Sequence, residues 1–343
     1  MSIKRKPGLR SGQFVLCVAA ASLGWSLCAQ AKATYTTFDP PDSFDTYVTG
    51  INNGAVTGYY WDGVNHGFVR VADGTITEFD PANSVNTWGN GINSIGAVTG
   101  DFEDSQTDRH GFMRNADGTI TTFDVKGALT TEGWGINKRG EITGQYANFS
   151  LGVLNSCESG CHGFLRNAKG RIIKFDPPGA TSTWPWKIND RGMIVGSYDD
   201  AQNVQHGFMR AADGTITTFD PPGSTSTNTN SINKKGIIAG QYNDAAGAGH
   251  GFVRADDGTI STFDLPDCGY FGIIGIDDKA RITGFCVTDD NTYHGFVRLP
   301  DGKLKVFDPP GSTFTVGVSI DAGMVAGYYQ DDGGILHGYL RTR

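Results

Sequence analysis

A three-residue motif, His-Gly-aromatic, occurs seven times in this chain, beginning at His66, His110, His162, His206, His250, His294 and His337. The steps between copies are 44, 52, 44, 44, 44 and 43 residues, and these seven are every histidine present. A period of that length, made of short apolar runs and Gly-rich turns, restricts the fold to repeated copies of one β-rich unit, as a propeller or a solenoid. It also leaves no histidine outside the repeat for general acid–base work.

Residues 232–264 show the unit: Ile232-Asn233, Gly236, Gly240, Tyr242, then His250 to Arg254, then Asp257-Gly258, and finally Phe263-Asp264. Turn chemistry divides it into four strands. The first turn reads Asn-x-x-Gly at Asn93, Asn137, Asn189 and Asn233, which suits a type I turn. The first repeat shortens it to Asn52-Asn53-Gly54, and the sixth carries Asp277 and Ala280 instead. The last hairpin carries Asp-Gly at Asp73, Asp117, Asp213, Asp257 and Asp301, and Lys169-Gly170 in the third repeat. The fourth strand ends in Phe-Asp, in most copies with Pro next; proline cannot extend a ladder and shields that edge.

The terminal fragments complement each other. Residues 34–38 read as a fourth strand with no first three before it, and residues 337–341 as a third strand with no fourth after it. This predicts an all-β, seven-bladed propeller of four antiparallel strands per blade, closed when the N-terminal strand completes the last blade. A solenoid would want polar caps at both ends. The single domain, residues 34–343, is large enough to bury about three quarters of its unfolded surface. The spacing of Ile-Asn-x-x-Gly, Gly-x-Tyr, His-Gly-Phe and Asp-Gly-Thr-Ile-x-x-Phe-Asp resembles the HAF family of bacterial extracellular repeat proteins over the whole mature chain. Here Gly67, Gly111 and their counterparts stand where that family usually has Ala. The resemblance implies a repeat fold and export, and brings no catalytic residue with it.

Residues 1–33 read as a signal peptide. Lys4, Arg5, Lys6 and Arg10 precede an apolar stretch from Phe14 to Leu27, short for a membrane span, with small residues offering cleavage after Ala31 or Ala33. Removing 1–33 takes away five positive charges and no negative ones, so the net charge goes from −8 to −13. Such a surface repels phosphate backbones, which argues against nucleic acid and, once the leader is gone, against membrane insertion. Four cysteines then remain, Cys157, Cys161, Cys268 and Cys286. In an exported chain they read as two disulfides. Three connectivities exist, of which Cys157–Cys161 and Cys268–Cys286 keep each bridge within one repeat; zinc is the rival reading for these sulfurs.

Groups repeated in every copy read as scaffold. Each histidine is expected to bond a neighbouring turn. The arginines Arg70, Arg114, Arg166, Arg210, Arg254, Arg298 and Arg341 are expected to pair with a recurring Asp, such as the one after the fourth-strand Phe. Specificity is expected where repeats differ, in loops on one face. The loops between second and third strands carry Asp101, Asp104, Asp199 and Asp200. Trp61 falls in such a loop, while Tyr47, Trp88, Trp134, Trp184 and Trp186 sit at the entries to the first strands. Aromatics beside carboxylates suit a sugar ring; the competing reading is packing between blades. No catalytic set, metal site or cofactor motif is recognisable. The expectation is an exported, monomeric, non-enzymatic propeller binding an extracellular glycan or surface protein, in the extracellular space or periplasm. The alternative is a glycoside hydrolase or lyase using loop carboxylates.

Overall fold

A computed structural model describes residues 33–149 and 160–342, and among these every regular element is a β-strand. The leader, apart from Ala33, and Cys157 lie outside the described residues. Strand β1 is Thr34–Phe38. Six meanders of four follow. The first is β2 (Asp45–Asn52), β3 (Ala55–Trp61), β4 (Asn65–Arg70) and β5 (Ile76–Phe79). The second is β6 (Asn86–Ile92), β7 (Val98–Glu103), β8 (Arg109–Arg114) and β9 (Ile120–Phe123). The third is β10 (Thr130–Ile136), β11 (Ile142–Ala147), β12 (His162–Arg166) and β13 (Ile172–Phe175). The fourth is β14 (Ser182–Ile188), β15 (Ile194–Asp199), β16 (Gln205–Arg210) and β17 (Ile216–Phe219). The fifth is β18 (Ser224–Ile232), β19 (Ile238–Asp244), β20 (Gly249–Arg254) and β21 (Ile260–Phe263). The sixth is β22 (Tyr270–Ile276), β23 (Ile282–Val287), β24 (Tyr293–Arg298) and β25 (Leu304–Phe307). Then β26 (Phe314–Asp321), β27 (Met324–Gln330) and β28 (Leu336–Thr342) pair in order, and β1 adds to β28 from Thr34↔Thr342 to Phe38↔Gly338.

The turns form for the reasons their residues suggest. Asn233 Oδ1 accepts the backbone N–H groups of Lys235 and Ile237, both at 3.0 Å, and Gly236 supplies the positive φ of 87° that closes the turn. The same amide reaches outward: Asn93, Asn137, Asn189 and Asn233 each donate from Nδ2 to the carbonyl of Asn137, Asn189, Asn233 and Asp277 respectively, at 2.9 to 3.2 Å. One residue type therefore closes its own turn and ties it to the next meander.

The core lies between meanders. The aromatic of each His-Gly-aromatic motif is sealed from solvent: Phe68, Phe112, Phe164, Phe208, Phe252, Phe296 and Tyr339 are all 0% exposed. Six of them meet the fourth-strand Phe of the preceding repeat edge to face, as Phe112 meets Phe79 at 5.6 Å and Tyr339 meets Phe307 at 6.2 Å. The arginine two residues on lies over that same Phe ring, 3.9 to 5.2 Å from its centroid, in all seven copies. This corrects the expected Arg–Asp pairing. The Nε of six of these arginines has no hydrogen-bond partner, and Nη1 of Arg70, Arg114, Arg210 and Arg254 reaches the carbonyl of the next residue at 3.3 to 3.5 Å. Ring and backbone, not a carboxylate, receive the cation. For Arg70 the receiving ring is Phe38 of β1.

The motif glycine is explained by its own meander. A Cβ built at Gly67, Gly111 or Gly251 would stand 2.4 Å from the ring of Phe79, Phe123 or Phe263. The Phe thus lies flat on the glycine on one side while facing the next meander on the other. Cys268 and Cys286 form the expected disulfide, and Cys161 is also disulfide-bonded. Gly251→Ala forces its methyl into Phe263 and Ile273, and is expected to destabilise the fold by about 1–3 kcal/mol in denaturant unfolding. A stability equal to wild type would show that the ring can move aside freely.

Candidate functional site

The histidines are absorbed by the scaffold. Each Nδ1 lies 2.6 to 2.9 Å from the carboxylate that follows a fourth-strand Phe, from His66–Asp80 to His337–Asp39. Nε2 faces the acid that opens the loop between second and third strands: Asp62, Asp104, Asp200, Asp244 and Asp331, at 3.3 to 3.4 Å. Those acids also serve their turns. Asp200 Oδ1 accepts the N–H groups of Gln202 at 2.8 Å and Val204 at 2.9 Å, and Asp104 does the same for Gln106 and Asp108. Asp104 and Asp200 are thus each held by their own turn and a histidine. Asp199 ends β15 opposite Ser182, where burial raises its carboxyl above the usual range.

The positions that vary lie one step inside those loops. Seven cross-strand pairs couple the first and second strands at one level: Tyr47/Tyr59, Trp88/Asp101, Glu132/Gln145, Trp184/Ser197, Asn228/Gln241, Gly272/Phe285 and Val316/Tyr328. The entry-loop placement of the tryptophans is thereby corrected. Trp88, Trp134, Trp184 and Trp186 lie within β6, β10 and β14, because each first strand begins well before its Ile-Asn and carries a bulge. Trp134 and Trp186 pack edge to face at 5.2 Å, and Trp184 is 9% exposed. Asp101 is likewise inside β7, not in a loop. Trp61 is the last residue of β3 rather than a loop residue, 42% exposed, and Tyr47 lies within β2 rather than at its entry.

Asp101 belongs to a charged cluster that the sequence reading missed. Arg109 Nη1 lies 3.3 Å from Asp101 Oδ2 and 2.9 Å from Glu132 Oε1, linking the second meander to the third. Asn90 donates to Asp101 at 2.8 Å and to the Gly133 carbonyl at 3.1 Å, Gln145 donates to Glu132, and Trp88 covers the guanidinium at 4.2 Å. Asp101, Glu132 and Arg109 are 1%, 0% and 6% exposed. Two carboxylates share one cation out of reach of bulk solvent. Burial pushes Asp101 up to about 7, against the pull of Arg109 and with the help of Glu132. Glu132 is raised too, by burial.

On the opposite arc Phe285, Tyr328, Tyr47 and Tyr59 stand at this level, with Tyr270, Tyr293 and Phe314 two residues nearer the loops. Tyr270, Phe285, Tyr293, Phe314, Tyr328, Tyr47 and Tyr59 form an unbroken run of ring contacts, with successive centroids 4.7 to 6.3 Å apart. Tyr270 is exposed and the others are half-buried, unlike the sealed core rings. Phe44, Trp61, Val64, Val85, Leu129 and Phe149, all exposed, lie on the same face over the first three meanders. Phe44 and Trp61 touch at 5.5 Å. A separate cavity of about 150 Å³ is lined by β2, β6, β10, β14, β18, β22 and β26 together, toward the Asn-x-x-Gly turns and away from this face.

These features define an all-β protein of β-propeller type with a polar and an aromatic arc around one end of its inner strands. No protein-family model and no curated protein matches the chain. Among solved structures it is similar to a catalytically inactive virginiamycin B lyase from Staphylococcus aureus with quinupristin, at TM-score 0.60 and 14% identity over 91% of this chain and 100% of that one. It is similar also to the β-propeller domain of the Trilobed protease from Pyrococcus furiosus, described as having an open velcro topology (TM-score 0.59, 10% identity, 86% and 95% covered). A third is Pyrococcus horikoshii acylaminoacyl peptidase (0.57, 11%, 86% and 51%). At these identities the likeness shows the fold.

Two predictions follow from the ionisable groups. His66, His110, His206, His250 and His337 hold their protons more tightly than free histidine. For His250 the hydrogen bond to Asp264 leads; for the other four, burial opposes the charge and the aspartate bonds outweigh it. Their stabilisation is complete below about pH 6.5 and is lost as pH rises through the raised folded values; the raised Asp101 adds to that loss. Backbone N–H groups hold Asp200, Asp244 and Asp331 below the usual carboxylate range, and Asp104 as well despite its burial. Their contribution is present above about pH 4 and lost as pH falls. The melting temperature is therefore expected to peak between about pH 4.5 and 6 and to decline toward pH 8, and a profile rising from 6 to 8 would contradict this assignment. In urea unfolding at pH 7, Asp101→Asn, which mimics the neutral acid, is expected to cost less than about 1 kcal/mol. Arg109→Met strands two carboxyls and is expected to cost about 3–5 kcal/mol. Equal costs would show that the cluster is not organised around the cation.

Proposed function

We propose that this protein is an exported, monomeric, non-enzymatic binding propeller of the HAF type, with seven blades in a ring closed by β1, and that it holds an extracellular glycan against the aromatic arc. The run of seven partly exposed rings from Tyr270 to Tyr59 carries this reading. Other repeats place Asp, Gln or Ser at the level of Tyr59, Phe285 and Tyr328, so the scaffold does not require aromatics there. Flat apolar rings beside amides such as Asn228 and Gln241 suit a ligand with one apolar face and a rim of hydroxyls. The exposed residues around Phe44 and Trp61 support contact with a larger surface on the same side. Ring closure draws support from the β1–β28 ladder, from Arg70 over Phe38, and from the bond of Asn53 N–H to Asp321 Oδ2 at 2.7 Å. Export draws support from the basic-then-apolar leader and the disulfide, and no helix among the described residues is long and apolar enough to cross a membrane.

The enzymatic alternative needs two reachable carboxylates. The pair joined by Arg109 is buried beneath Trp88, and Asp104 and Asp200 are committed to their turns and histidines. A panel of bacterial and plant glycans tested by calorimetry provides the discrimination. Binding is expected to weaken about tenfold or more in Tyr47→Ala and Phe314→Ala, roughly 1.4 kcal/mol each, with melting little changed. Trp184→Ala, at a buried position, is expected to lower the melting temperature instead. No binding to any glycan would remove the carbohydrate reading, and turnover of one would favour the enzymatic alternative.

A further inference from the structure

The apolar residues exposed over the first three meanders depart from a polar arrangement that other repeats keep. At the entry to a first strand, Thr181, Thr225 and Thr313 each share the Oγ1 proton between two successive carbonyls of the neighbouring loop, at 3.0 to 3.2 Å. The corresponding residues of the first three meanders are Phe44, Val85 and Leu129. Their N–H groups donate to the carbonyl of the last residue of the second strand, Trp61, Glu103 and Ala147 respectively, as that of Thr181 does to Asp199. Threonine therefore satisfies the fold at this position, and three consecutive repeats carry an apolar side chain there instead. With Trp61 and Val64, these residues are 37 to 56% exposed. They follow one another across the seams. Phe44 touches Trp61 at 5.5 Å. Val64 and Val85 each precede one partner of the bond from Asn65 N–H to Asn86 Oδ1 at 2.9 Å. The Leu129 carbonyl accepts the Arg109 N–H at 3.1 Å, and Arg109 lies opposite Glu103, whose carbonyl accepts from Val85.

The charge around this patch is one-sided. Asp42 and Asp62 adjoin Phe44 and Trp61 in the chain, and Glu103 and Asp108 adjoin Val85 and Leu129 through the backbone bonds just described. Among the described residues, Lys126 is the one lysine or arginine in any loop that joins a second to a third strand or a fourth to a first. The histidines do not neutralise the face. His66 lies between Asp62 and Asp80, and His110 between Asp104 and Asp124, so a protonated ring offsets one carboxylate of each two. The Asn-x-x-Gly turns at the other end of the strands mix both signs, with Lys138, Arg139, Arg191 and Lys234 beside their acids.

We infer that this face docks a cationic amphipathic segment of another protein, with apolar side chains along one side and lysine or arginine flanking them. The apolar path from Phe44 to Leu129 supplies the area to be buried, and the carboxylates beside it supply the complementary charge. A membrane surface rich in anionic lipid is repelled by the same carboxylates, and so is a second copy presenting the same face. The surface is separate from the aromatic arc and does not depend on a glycan being bound there.

The probe is a synthetic peptide of leucine and lysine, about 14 residues long and patterned to be amphipathic as a helix, titrated by calorimetry at low salt and neutral pH. Saturable binding is expected in wild type, weakening as salt is added. The double variant Phe44→Thr/Val85→Thr carries the residue that Thr181 and Thr313 place at this position, so its melting temperature is expected to stay at the wild-type value. Its affinity for the peptide is expected to fall about tenfold or more. The same peptide with glutamate for lysine is expected not to bind. Tyr47→Ala, in the aromatic arc, is expected to hold the peptide affinity within about twofold, so a failed glycan site and a failed peptide surface are told apart. No saturable binding of the lysine peptide overturns the surface, as does equal affinity in the folded double variant. Equal binding of the glutamate peptide overturns the cationic assignment. A loss in Tyr47→Ala with none in the double variant moves the binding to the arc and overturns this surface too. Binding to neutral phosphatidylcholine vesicles, or self-association, that disappears in the double variant would assign the face to a membrane or a second copy instead.

Discussion

The stacking of an arginine and an aromatic ring on one phenylalanine is the contact on which the rest of this structure depends. A four-stranded meander buries little by itself. Its faces become a core only when the next meander supplies Phe68 and Arg70, or their counterparts, to the fourth-strand Phe it presents. The glycine of the His-Gly-aromatic motif lets that Phe lie flat, and the histidine fixes the carboxylate beside it. Each motif thus serves two seams. Its aromatic and arginine close on the Phe of the preceding repeat, as Phe68 and Arg70 on Phe38. Its glycine and histidine seat the Phe and Asp of their own repeat for the seam that follows, as Gly67 and His66 seat Phe79 and Asp80. The innermost turns are tied by the asparagine chain from Asn93 to Asp277, so the four seams between the second and sixth meanders are held at both their outer and inner ends.

With the seams fixed by repeated residues, the remaining positions are free to differ, and they differ in an organised way. The cross-strand pairs near one end of the inner strands separate into a polar arc and an aromatic one. Between the second and third meanders this polarity is carried into the interior, where Asp101, Arg109 and Glu132 are buried together. Tyr59, whose hydroxyl is raised by burial and by the neighbouring Tyr47, Tyr328 and Asp101, joins the two arcs. Rings and charges therefore form one continuous layer, distinct from the cavity that the seven inner strands line toward the Asn-x-x-Gly turns.

Much of the fold was legible because its signals are local. Asn233 and Gly236 announce their turn within four residues, and residues 34–38 and 337–341 announce their pairing by each lacking what the other has. The histidine was recognised as scaffold but its partner was not: the Asp 14 residues on, which bonds it in six copies, was assigned to the arginine instead. The arginine contact was not: its partner is a ring in the preceding repeat, and an abundance of aspartates offered a more obvious mate. Trp88 and its counterparts were placed outside the sheet because Ile-Asn marks the end of the first strand and nothing marks its start. Glu132 was overlooked although it is the one acid at its level among the seven first strands; aligning the copies at that level, instead of at the motif, would have found it.

The ladder between β1 and β28 has a mechanical side. The two strands run antiparallel with Thr34 opposite Thr342, so both ends of the described chain leave from the same edge of the same sheet. A pull that separates residues 34 and 342 loads the rungs of that ladder one after another, beginning with Thr34 and Thr342, instead of shearing all of them at once. Tension between those two points would peel β1 away, exposing the free edge of β28 and uncovering Arg70, whose aromatic partner Phe38 leaves with the strand.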